Sequence, residues 1–274
     1  MNVVLQNNNE QLAASAFSKQ AEVFDELYIN NTIVQYKRDR VRSVVEQYVQ
    51  PGQKMLELNC GTGEDAIYFA KKGYFVHATD IAEGMLNKLS VKIRQHNLAD
   101  KISTEQRSFT SLNQLASQEK YDAIFSNFGG LNCTGELDKV LSSFDELLKP
   151  RGIACLVILP KFCLWETLLV LKGKFKTATR RFFKSNGAKA RVEDTYFTCW
   201  YYNANFVKRV LKNKFSVVAQ EGLCTLVPPS YVEHFAENHS GSFAFLKNAE
   251  NKLKRCWPWN CIGDYYIIVL KKNG

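Results

Sequence analysis

Apolar residues follow two alternating spacings through the middle of the chain. Between residues 54 and 159, short apolar runs typical of buried strands alternate with segments whose apolar residues recur at helical spacing. The predicted strands are KMLELN, FVHATDI, ISTEQRSF, YDAIFSNF and IACLVIL, and the predicted helices are EDAIYFAKK, EGMLNKLSVKIRQHN and LDKVLSSFDELLK. Near-continuous apolar strands separated by helices predict an α/β fold, in which a mostly parallel sheet is covered by helices on both faces.

The flanking segments have patterns of their own. Residues 1–14 are polar and rich in Asn and Gln, so we expect them to be frayed. Residues 16–49 show helical spacing interrupted by INNT, which predicts two helices. Near the end of the chain, NANFVKRVLKN predicts a helix, and FSVVAQEGL and DYYIIVLKK predict two strands. The segment between those strands, residues 228–256, is helical in pattern, with expected buried positions at Tyr231, Phe235, Phe243, Leu246 and Leu253.

These patterns divide the chain into four predicted units. Residues 1–50 form an N-terminal helical cap, and residues 51–160 form the α/β core that carries the ligand site. Residues 161–205 form a basic and aromatic insert, which is expected to act as a lid. Residues 206–274 supply the remainder of the core, with a helical insert before the last strand.

Composition indicates an ordinary globular protein. Of the 274 residues, 46% are hydrophobic, and the first residues lack the basic and apolar regions of a signal peptide. The most apolar stretch is interrupted by Pro160, Lys161 and Glu166, so no membrane span and no membrane partner are expected. The eight cysteines form no C-x-x-C pair, and we expect reduced thiols in a cytoplasmic protein. Cys256 and Cys261 follow His234 and His239 in the chain, but the spacings match no standard zinc site. No metal is therefore expected.

The formal charge of +9 is concentrated in one segment. Residues 161–191 contain nine basic residues and one acidic residue, Glu166. With Phe175, Phe182 and Phe183 interleaved, this segment suits a nucleic-acid backbone. A solvated amphipathic helix whose lysines cover a lid is the favoured alternative, and an acidic small substrate or a carrier protein's phosphopantetheine arm is also compatible.

A glycine turn follows the first predicted strand. Gly61, Gly63 and Ala66 satisfy the dinucleotide pattern G-x-G-x-x-G/A between a strand and a helix. The next two residues are Glu64 and Asp65, whose carboxylates would repel a pyrophosphate at the helix N-terminus. Together with Glu57 near the end of the strand, they favour a ligand without phosphate that carries a positive group. S-adenosylmethionine fits, because it has an ammonium and a sulfonium.

Asp80 ends the second predicted strand. A carboxylate at that position accepts hydrogen bonds from the ribose hydroxyls of an adenosine. The same role exists for NAD, so Asp80 by itself does not discriminate between the two cofactors. A plain helix N-cap is the structural alternative for this residue.

The motifs LELNCGTG, HATDIAEGML, YDAIFSNFGGLN and LLKPRG resemble class I S-adenosylmethionine-dependent methyltransferases in order and spacing. The resemblance is good over about residues 50–160 and looser through the final two strands. It implies a Rossmann-like α/β fold with a mostly parallel seven-stranded sheet, helices on both faces, an N-terminal helical lid and inserts. The glycine motif of the family usually reads D/E-x-G-x-G-x-G, and here Asn59 occupies its first glycine position.

The resemblance also implies roles for matched residues. Glu57 and Gly61 would face the methionine part of S-adenosylmethionine, and Asp80 would bind its ribose. Ser108 stands where the family often has an acid that reaches the adenine amine. The complete set of predicted cofactor-binding residues is Glu57, Asn59, Gly61, Gly63, Asp80, Ile81, Met85, Ser108, Phe109, Asn127 and Phe128.

The flanking segments resemble those of small-molecule and quinone-type methyltransferases. AFSKQAEVFDELY, which ends at Tyr28, resembles the helices that cover the pocket in that group, and TYFTCWYY resembles the aromatic wall of its substrate cavity. Tyr28, Trp200 and Tyr201 are therefore predicted to bind the substrate, although core packing is an equal alternative for the last two. Methyl transfer to oxygen also needs a base, and His234 is the predicted candidate.

Three functions remain open at this point. The favoured one is an S-adenosylmethionine-dependent methyltransferase acting on a small aromatic or acidic acceptor, with S-adenosylhomocysteine as the second product. The second is a methyltransferase that uses the basic insert to act on RNA or protein. The third is an NAD-dependent oxidoreductase or a non-catalytic adenosine-binding protein.

Overall fold

A seven-stranded sheet forms the centre of the computed structural model, which describes residues 2–182, 186–232 and 234–274, and for residues 2–7 the backbone alone. Phe183 and Lys184 of the predicted basic insert lie outside the described residues. The strands of the sheet are β1 (Lys54–Leu58), β2 (Phe75–Asp80), β3 (Ile102–Gln106), β4 (Tyr121–Ser126), β5 (Leu148–Ile158), β8 (Phe215–Leu223) and β9 (Tyr265–Lys272). Strands β6 (Ala188–Val192) and β7 (Thr195–Cys199) form a separate antiparallel hairpin.

The order of the sheet, β3-β2-β1-β4-β5-β9-β8, confirms the predicted mostly parallel arrangement. Strands β1 to β5 pair in parallel, and β9 runs antiparallel to both of its neighbours, β5 and β8. The order reverses at β1, which lies between β2 and β4. In open α/β sheets, ligands bind beside such a reversal at the carboxyl ends of the strands.

Ten α-helices are described, and most of them cover the sheet or its carboxyl edge. They are α1 (Asn2–Ile29), α2 (Thr32–Tyr48), α3 (Glu64–Lys71), α4 (Glu83–Gln95), α5 (Leu137–Leu147), α6 (Leu164–Leu168), α7 (Phe175–Thr179), α8 (Ala204–Leu211), α9 (Phe235–Asn238) and α10 (Ser240–Leu253). Helices α2, α3 and α4 pack on one face of the sheet, and α5 and α8 pack on the other. Consecutive β1 residues Met55 and Leu56 are both fully buried in opposite cores, as expected of a strand covered on both faces.

Two predicted element boundaries are wrong. Of the polar segment 1–14, which is expected to be frayed, residues 2–14 belong to α1. Asn9 anchors them: its side chain donates to the carbonyls of Cys133 and Thr198 and accepts from the Thr198 amide. The Pro150-Arg-Gly turn lies inside the range of β5, where the register with β4 shifts between Tyr121 and Ala123. That irregularity accommodates a turn-like sequence within a strand.

The burial expected for residues 228–256 is also partly wrong. Tyr231 is 47% exposed. The other four expected positions are only partly buried. Three of them pack at the margin of a small cluster formed with α2, and within α10 only Glu250 is fully buried.

The basic insert differs most from its prediction. A single amphipathic helix was expected, but the described part consists of α6, α7, a 3₁₀ turn and the β6–β7 hairpin. Arg181 is 3% exposed and donates hydrogen bonds to Glu166 Oε1 at 2.6 Å and Asp264 Oδ1 at 2.9 Å. Arg180 also binds Glu166, at 2.5 and 2.9 Å. Two of the nine cations are therefore held in this cluster by the chain's own carboxylates, and a third, Arg191, pairs with Asp194 at the surface.

This buried cluster is self-compensating. Burial opposes ionisation of Glu166, but hydrogen bonds from Arg180 and the charge of Arg181 hold its pKa below the ordinary value. Cys163, Glu166 and Asp264 place potential metal-ligating atoms within 4.8 Å of one another. Arg181 already supplies the positive charge at this point, so the carboxylates act as its partners.

We expect Arg181→Met to lower the free energy of unfolding by about 3–5 kcal/mol, because it leaves two buried carboxylates without their shared cation. Chemical denaturation monitored by circular dichroism would measure the loss. Lys189→Met, which removes an exposed cation of the same insert, is the matched control and should change stability by less than about 0.5 kcal/mol. Equal effects of the two substitutions would contradict a structural role for Arg181.

Candidate active site

A cavity of about 320 Å³ opens at the carboxyl ends of β1 to β4. Its floor consists of residues that directly follow these strands, and its cover comes from α1 and α2. The floor residues are Asn59, Cys60, Gly61 and Thr62 after β1, Ile81 and Ala82 after β2, Arg107, Ser108 and Phe109 after β3, and Asn127 and Phe128 after β4. The site therefore lies where the strand order reverses.

The turn after β1 depends on left-handed backbone conformations. Asn59, Gly61 and Gly63 have φ angles of 49°, 55° and 80°. The Asn59 side chain accepts a hydrogen bond from Ser126 Oγ at 2.7 Å and donates one to the Asn127 carbonyl at 3.1 Å. An Asn at the family's first glycine position thus tolerates the backbone angle and also ties the β1 turn to the end of β4.

The two glycines of the turn meet different surroundings. A Cβ atom at Gly61 would meet no heavy atom within 4 Å, so this backbone is open for close approach by a ligand. A Cβ atom at Gly63 would lie 2.2 Å from Leu89 Cδ1 in the core. Gly63 does not line the cavity; it permits α3 to begin against α4.

Asp80 connects the turns after β1 and β2. Its Oδ2 accepts from the Gly61 amide at 2.8 Å and its Oδ1 accepts from the Ala82 amide at 2.9 Å. The carboxylate is 9% exposed, and burial raises its pKa despite these backbone hydrogen bonds. Asp80 thus fixes the shape of the cavity floor while lining the cavity itself.

The acidic residues around the glycine turn are largely engaged in ion pairs. Asp65 forms ion pairs with Arg38 at 3.1 Å and Arg42 at 2.7 Å, and it accepts from Asn127 Nδ2 at 2.8 Å. Glu64 binds Lys92 at 2.5 Å. Two of the three carboxylates that were expected to favour a cationic ligand are therefore already paired within the protein.

Glu57 is the exception in that group. It is 3% exposed, lines the cavity, and its Oε2 has no hydrogen-bond partner. Burial and the nearby charge of Asp65 raise its pKa well above the ordinary value. A buried carboxylate oxygen without a partner is costly, so a cationic donor in the cavity would stabilise this site.

A second buried carboxylate was missed in the sequence. Glu10 of α1 lines the cavity and is 6% exposed; its Oε2 accepts from Ser108 Oγ at 2.5 Å and Thr110 Oγ1 at 3.0 Å. Its Oε1 has no partner. Nothing in a polar Asn- and Gln-rich tract distinguishes this residue, because its position depends on how α1 folds back over β3.

Two cations of α2 were also missed. Lys37 and Arg38 both line the cavity, and Lys37 is 2% exposed. The sequence does indicate Lys37, because it falls on the same helical face as the buried apolar residues Ile33, Val41 and Val44. A charged residue within a buried helical stripe is a candidate ligand contact.

The other predicted cofactor residues and Tyr28 are brought together. Those that line the cavity are Tyr28, Glu57, Asn59, Gly61, Asp80, Ile81, Met85, Ser108, Phe109, Asn127 and Phe128. Proximity alone does not assign each contact, but it places all of these predicted residues around one volume.

Three predicted substrate or catalytic residues lie elsewhere. Trp200 packs against the core under α5 and α8, and Tyr201 is buried beneath the guanidinium of Arg181, 5.2 Å from its ring centroid. His234 lines a separate small cavity with Leu27 and Asn31. None of the three lines the main cavity, because β7 turns the aromatic segment into the core and His234 precedes α9 outside the sheet edge.

Comparison with known proteins finds a methyltransferase domain in part of the chain. The sequence model of a family described as a methyltransferase domain matches residues 55–152. An uncharacterized methyltransferase of Synechocystis sp. is 27% identical over 135 residues, which cover 48% of this chain and 60% of that protein. The demethylmenaquinone methyltransferase of Bacteroides fragilis is 34% identical over 102 residues, covering 36% of this chain and 40% of that protein. This chain spans 60% or less of the length of these two curated relatives.

Solved structures share the architecture over nearly the whole chain. The magnesium protoporphyrin IX methyltransferase of Synechocystis, with bound S-adenosylhomocysteine, has a TM-score of 0.60 at 16% identity, covering 97% of this chain and 100% of that chain. The 1,6-didemethyltoxoflavin N1-methyltransferase of Burkholderia thailandensis also has a TM-score of 0.60, at 12% identity and 98% and 91% coverage. Residues 55–152 therefore match a methyltransferase domain, and the chain has the fold of these solved methyltransferases.

The resemblance drawn from the sequence motifs is therefore confirmed, as is the seven-stranded fold that it implied. The matched residues 55–152 begin in β1 and end in β5, so the methyltransferase domain contains the entire cavity floor. The cover from α1 and α2 lies outside that match. Within the described ranges, no helix has the length and apolarity needed to cross a membrane.

We expect Gly63→Ala to destabilise the methyltransferase domain by about 1–3 kcal/mol more than Gly61→Ala. Both substitutions introduce a Cβ at positive φ, but only the one at Gly63 also overpacks the core against Leu89. Urea denaturation of the two variants would measure the difference. Equal losses would show that the backbone angle, and not the contact with Leu89, decides the residue at position 63.

Proposed function

We propose that this chain is an S-adenosylmethionine-dependent methyltransferase that acts on a small molecule. The observation that carries this proposal is the unpartnered Oε2 of Glu57, buried in the cavity beside the open backbone of Gly61. An ammonium group at this point would supply the missing donor and lower the pKa of Glu57. The methionine part of S-adenosylmethionine presents such a group.

The cavity also suits the rest of this cofactor. Asp80 retains lone pairs for the ribose hydroxyls, because each oxygen accepts only one backbone hydrogen bond. Ile81, Met85 and Phe109 provide apolar walls for a flat base. Arg38 lines the cavity and binds Asp65 at 3.1 Å beside the glycine turn, so it would take the methionine carboxylate next to the ammonium.

S-adenosylmethionine supplies an electrophilic methyl group, and the chain's own residues position the acceptor and exclude water. Asn127 and Phe128 follow β4 at the centre of the floor, where an aligned acceptor would meet the methyl group. Much of the rate gain in such a displacement comes from alignment in a dry pocket. Among the described residues that line the cavity there is no histidine, so we assign no general base to His234.

The small-molecule class is supported by the enclosure of the site and by the basic insert. Arg180 and Arg181 are bound to Glu166 and Asp264, which removes two cations from a nucleic-acid surface. The site itself is covered by α1 and α2 instead of opening on the insert. The methyltransferases named above for demethylmenaquinone and toxoflavin chemistry act on small molecules, which agrees with this proposal.

Wild-type protein is expected to bind S-adenosylhomocysteine and not NAD in titration calorimetry. Asp80→Ala should weaken S-adenosylhomocysteine binding by about one to two orders of magnitude, since a hydrogen bond to a charged group contributes roughly 1.5–3 kcal/mol and about 1.4 kcal/mol is tenfold.

Asp100→Ala removes an exposed aspartate and serves as the control. Thermal denaturation of Asp80→Ala at saturating ligand separates lost affinity from lost folding. Unchanged affinity would refute the ribose contact, and tight binding of NAD would favour an oxidoreductase.

Glu10 completes the proposed cofactor site. The family often has an acid after the third strand that reaches the adenine amine, whereas this chain has Ser108 there. Glu10 binds Ser108 from α1 and keeps Oε1 unpartnered in the cavity. We propose that the carboxylate lost from the strand is replaced by one from the helical cap, which accepts the adenine amine.

Wild-type protein should therefore prefer S-adenosylhomocysteine over S-inosylhomocysteine, in which a carbonyl replaces the adenine amine, by about tenfold or more. Glu10→Ala should reduce that preference, and Glu10→Gln should restore part of it. Glu22→Ala, on the same helix and with an exposed side chain, is the control. A preference that survives in Glu10→Ala would overturn the assignment.

A further inference from the structure

One part of the cavity wall has a different chemical character. It is formed by Lys37 of α2, Ser230 before α9, Phe128 after β4 and Tyr265 at the start of β9. All four residues line the cavity, and none belongs to the set predicted for the cofactor except Phe128. We call this group the Lys37 pocket.

Lys37 is the charged centre of this pocket and is incompletely paired. Its Nζ donates to Ser230 Oγ at 3.0 Å, while Asp264 Oδ2 lies 3.8 Å away, beyond hydrogen-bond distance. Asp264 Oδ1 meanwhile accepts from the buried Arg181 at 2.9 Å. An ammonium has three donors, so the ammonium of Lys37 retains hydrogen-bonding capacity at the cavity wall.

Apart from Ser230 and Asp264, the neighbours of Lys37 are aromatic. Its Nζ lies 4.9 Å from the ring centroid of Tyr265 and 5.7 Å from that of Phe128. The two rings contact each other edge-on, with centroids 6.5 Å apart. Such rings offer a flat apolar surface beside a desolvated positive charge, where an anion paired with that charge is weakly screened.

The cofactor proposed above does not account for this cation. Arg38 binds Asp65 in the first turn of α3, directly after the glycine turn, whereas Lys37 binds Ser230 and faces the Tyr265 ring. Arg38 therefore lies nearer to the ammonium site and is the cation placed to hold the methionine carboxylate. This leaves Lys37 for a different anionic group.

We propose that the Lys37 pocket binds the carboxylate of the methyl acceptor, and that the acceptor is an aromatic or other flat apolar acid. Lys37 and Ser230 hold the carboxylate, and Phe128 and Tyr265 contact the body of the molecule. Phe128 also follows Asn127 at the proposed methyl-transfer point, so the body of the acceptor extends from the anchor towards the cofactor. This inference rests on the proposed function, since it takes the remainder of the cavity to be occupied by S-adenosylmethionine.

The test uses phenylacetate and its neutral isostere phenylacetamide, titrated by calorimetry into protein saturated with S-adenosylhomocysteine. Phenylacetate should bind at least about tenfold more tightly than phenylacetamide, and Lys37→Met should abolish that preference. Ser230→Ala, which removes a hydroxyl without removing a charge, should reduce it. Lys19→Met, on the exposed side of α1, should leave it unchanged.

Other outcomes would overturn the proposal. Equal binding of the acid and the amide, or binding of neither at millimolar concentration, means that the pocket selects no carboxylate. A loss of S-adenosylhomocysteine affinity in Lys37→Met as large as the loss for phenylacetate means that Lys37 holds the cofactor's own carboxylate.

A different result would contradict the proposed function. If wild-type protein does not bind S-adenosylhomocysteine, that proposal is wrong, and the same pair of probes is titrated into the protein alone. A preference for phenylacetate that depends on Lys37 would then still establish the anion site. Its absence there would remove this inference as well.

Discussion

The shape of the active site depends on the buried carboxylate of Asp65. It lies in the first turn of α3 and binds Arg38 and Arg42 of α2 and Asn127 after β4. Burial opposes its ionisation, but the two guanidinium groups and the hydrogen bonds hold its pKa below the ordinary value. One side chain therefore joins the glycine turn, α2 and the segment after β4. Removing a single partner from such a buried ion pair is strongly destabilising, because it leaves the other charge unpaired.

This pairing also determines which charges remain for a ligand. Because Asp65 uses Arg38 and Arg42, and Glu64 uses Lys92, the carboxylates near the glycine turn that have no cationic partner among the described residues are Glu57 and Asp80. Towards β3, the unpartnered oxygen of Glu10 adds a further acceptor. On the wall formed with α2 and β9, Lys37 faces aromatic rings. The cavity thus presents free acceptors on some walls and a buried cation on another, an arrangement that orients a ligand pair by charge.

The sheet and its glycine turn could be predicted from sequence because their signals are local. Apolar runs, helical spacing and turn residues each report on a few neighbouring residues, and they placed β1, β2, β4, α3 and α4 correctly within a few residues. Positions such as Asp80 and Gly61 follow from where a strand ends. The resemblance to a family then converted those positions into expected contacts.

The remainder of the site is formed by contacts between distant segments, which local patterns do not report. Glu10 reaches Ser108 across 98 residues, and Lys37 reaches Ser230 across 193. The same limit explains the failures with Trp200 and Tyr201, whose aromatic pattern fits a cavity wall and a core equally well. Arg181 is a further case, since its charge suggested a solvated surface while its partners Glu166 and Asp264 lie 15 and 83 residues away.

The packing of α1 over the cavity bears on how a ligand enters it. Its middle packs through small residues, Ala13 and Ala16 near Phe197 and Ala21 near Met85, and its backbone at Ser18 passes so close to α4 that only glycine fits at position 84. Phe17 and Phe24 add aromatic contacts to these two clusters, and polar tethers such as Asn9 to β7 and Thr62 to Asp25 hold the helix at further points. Hydrogen bonds of this kind exchange with water at small net cost, whereas separating an apolar interface does not. A cover held by small apolar clusters and separate polar tethers can open in part without disturbing the sheet core, which is what a covered ligand site requires of its lid.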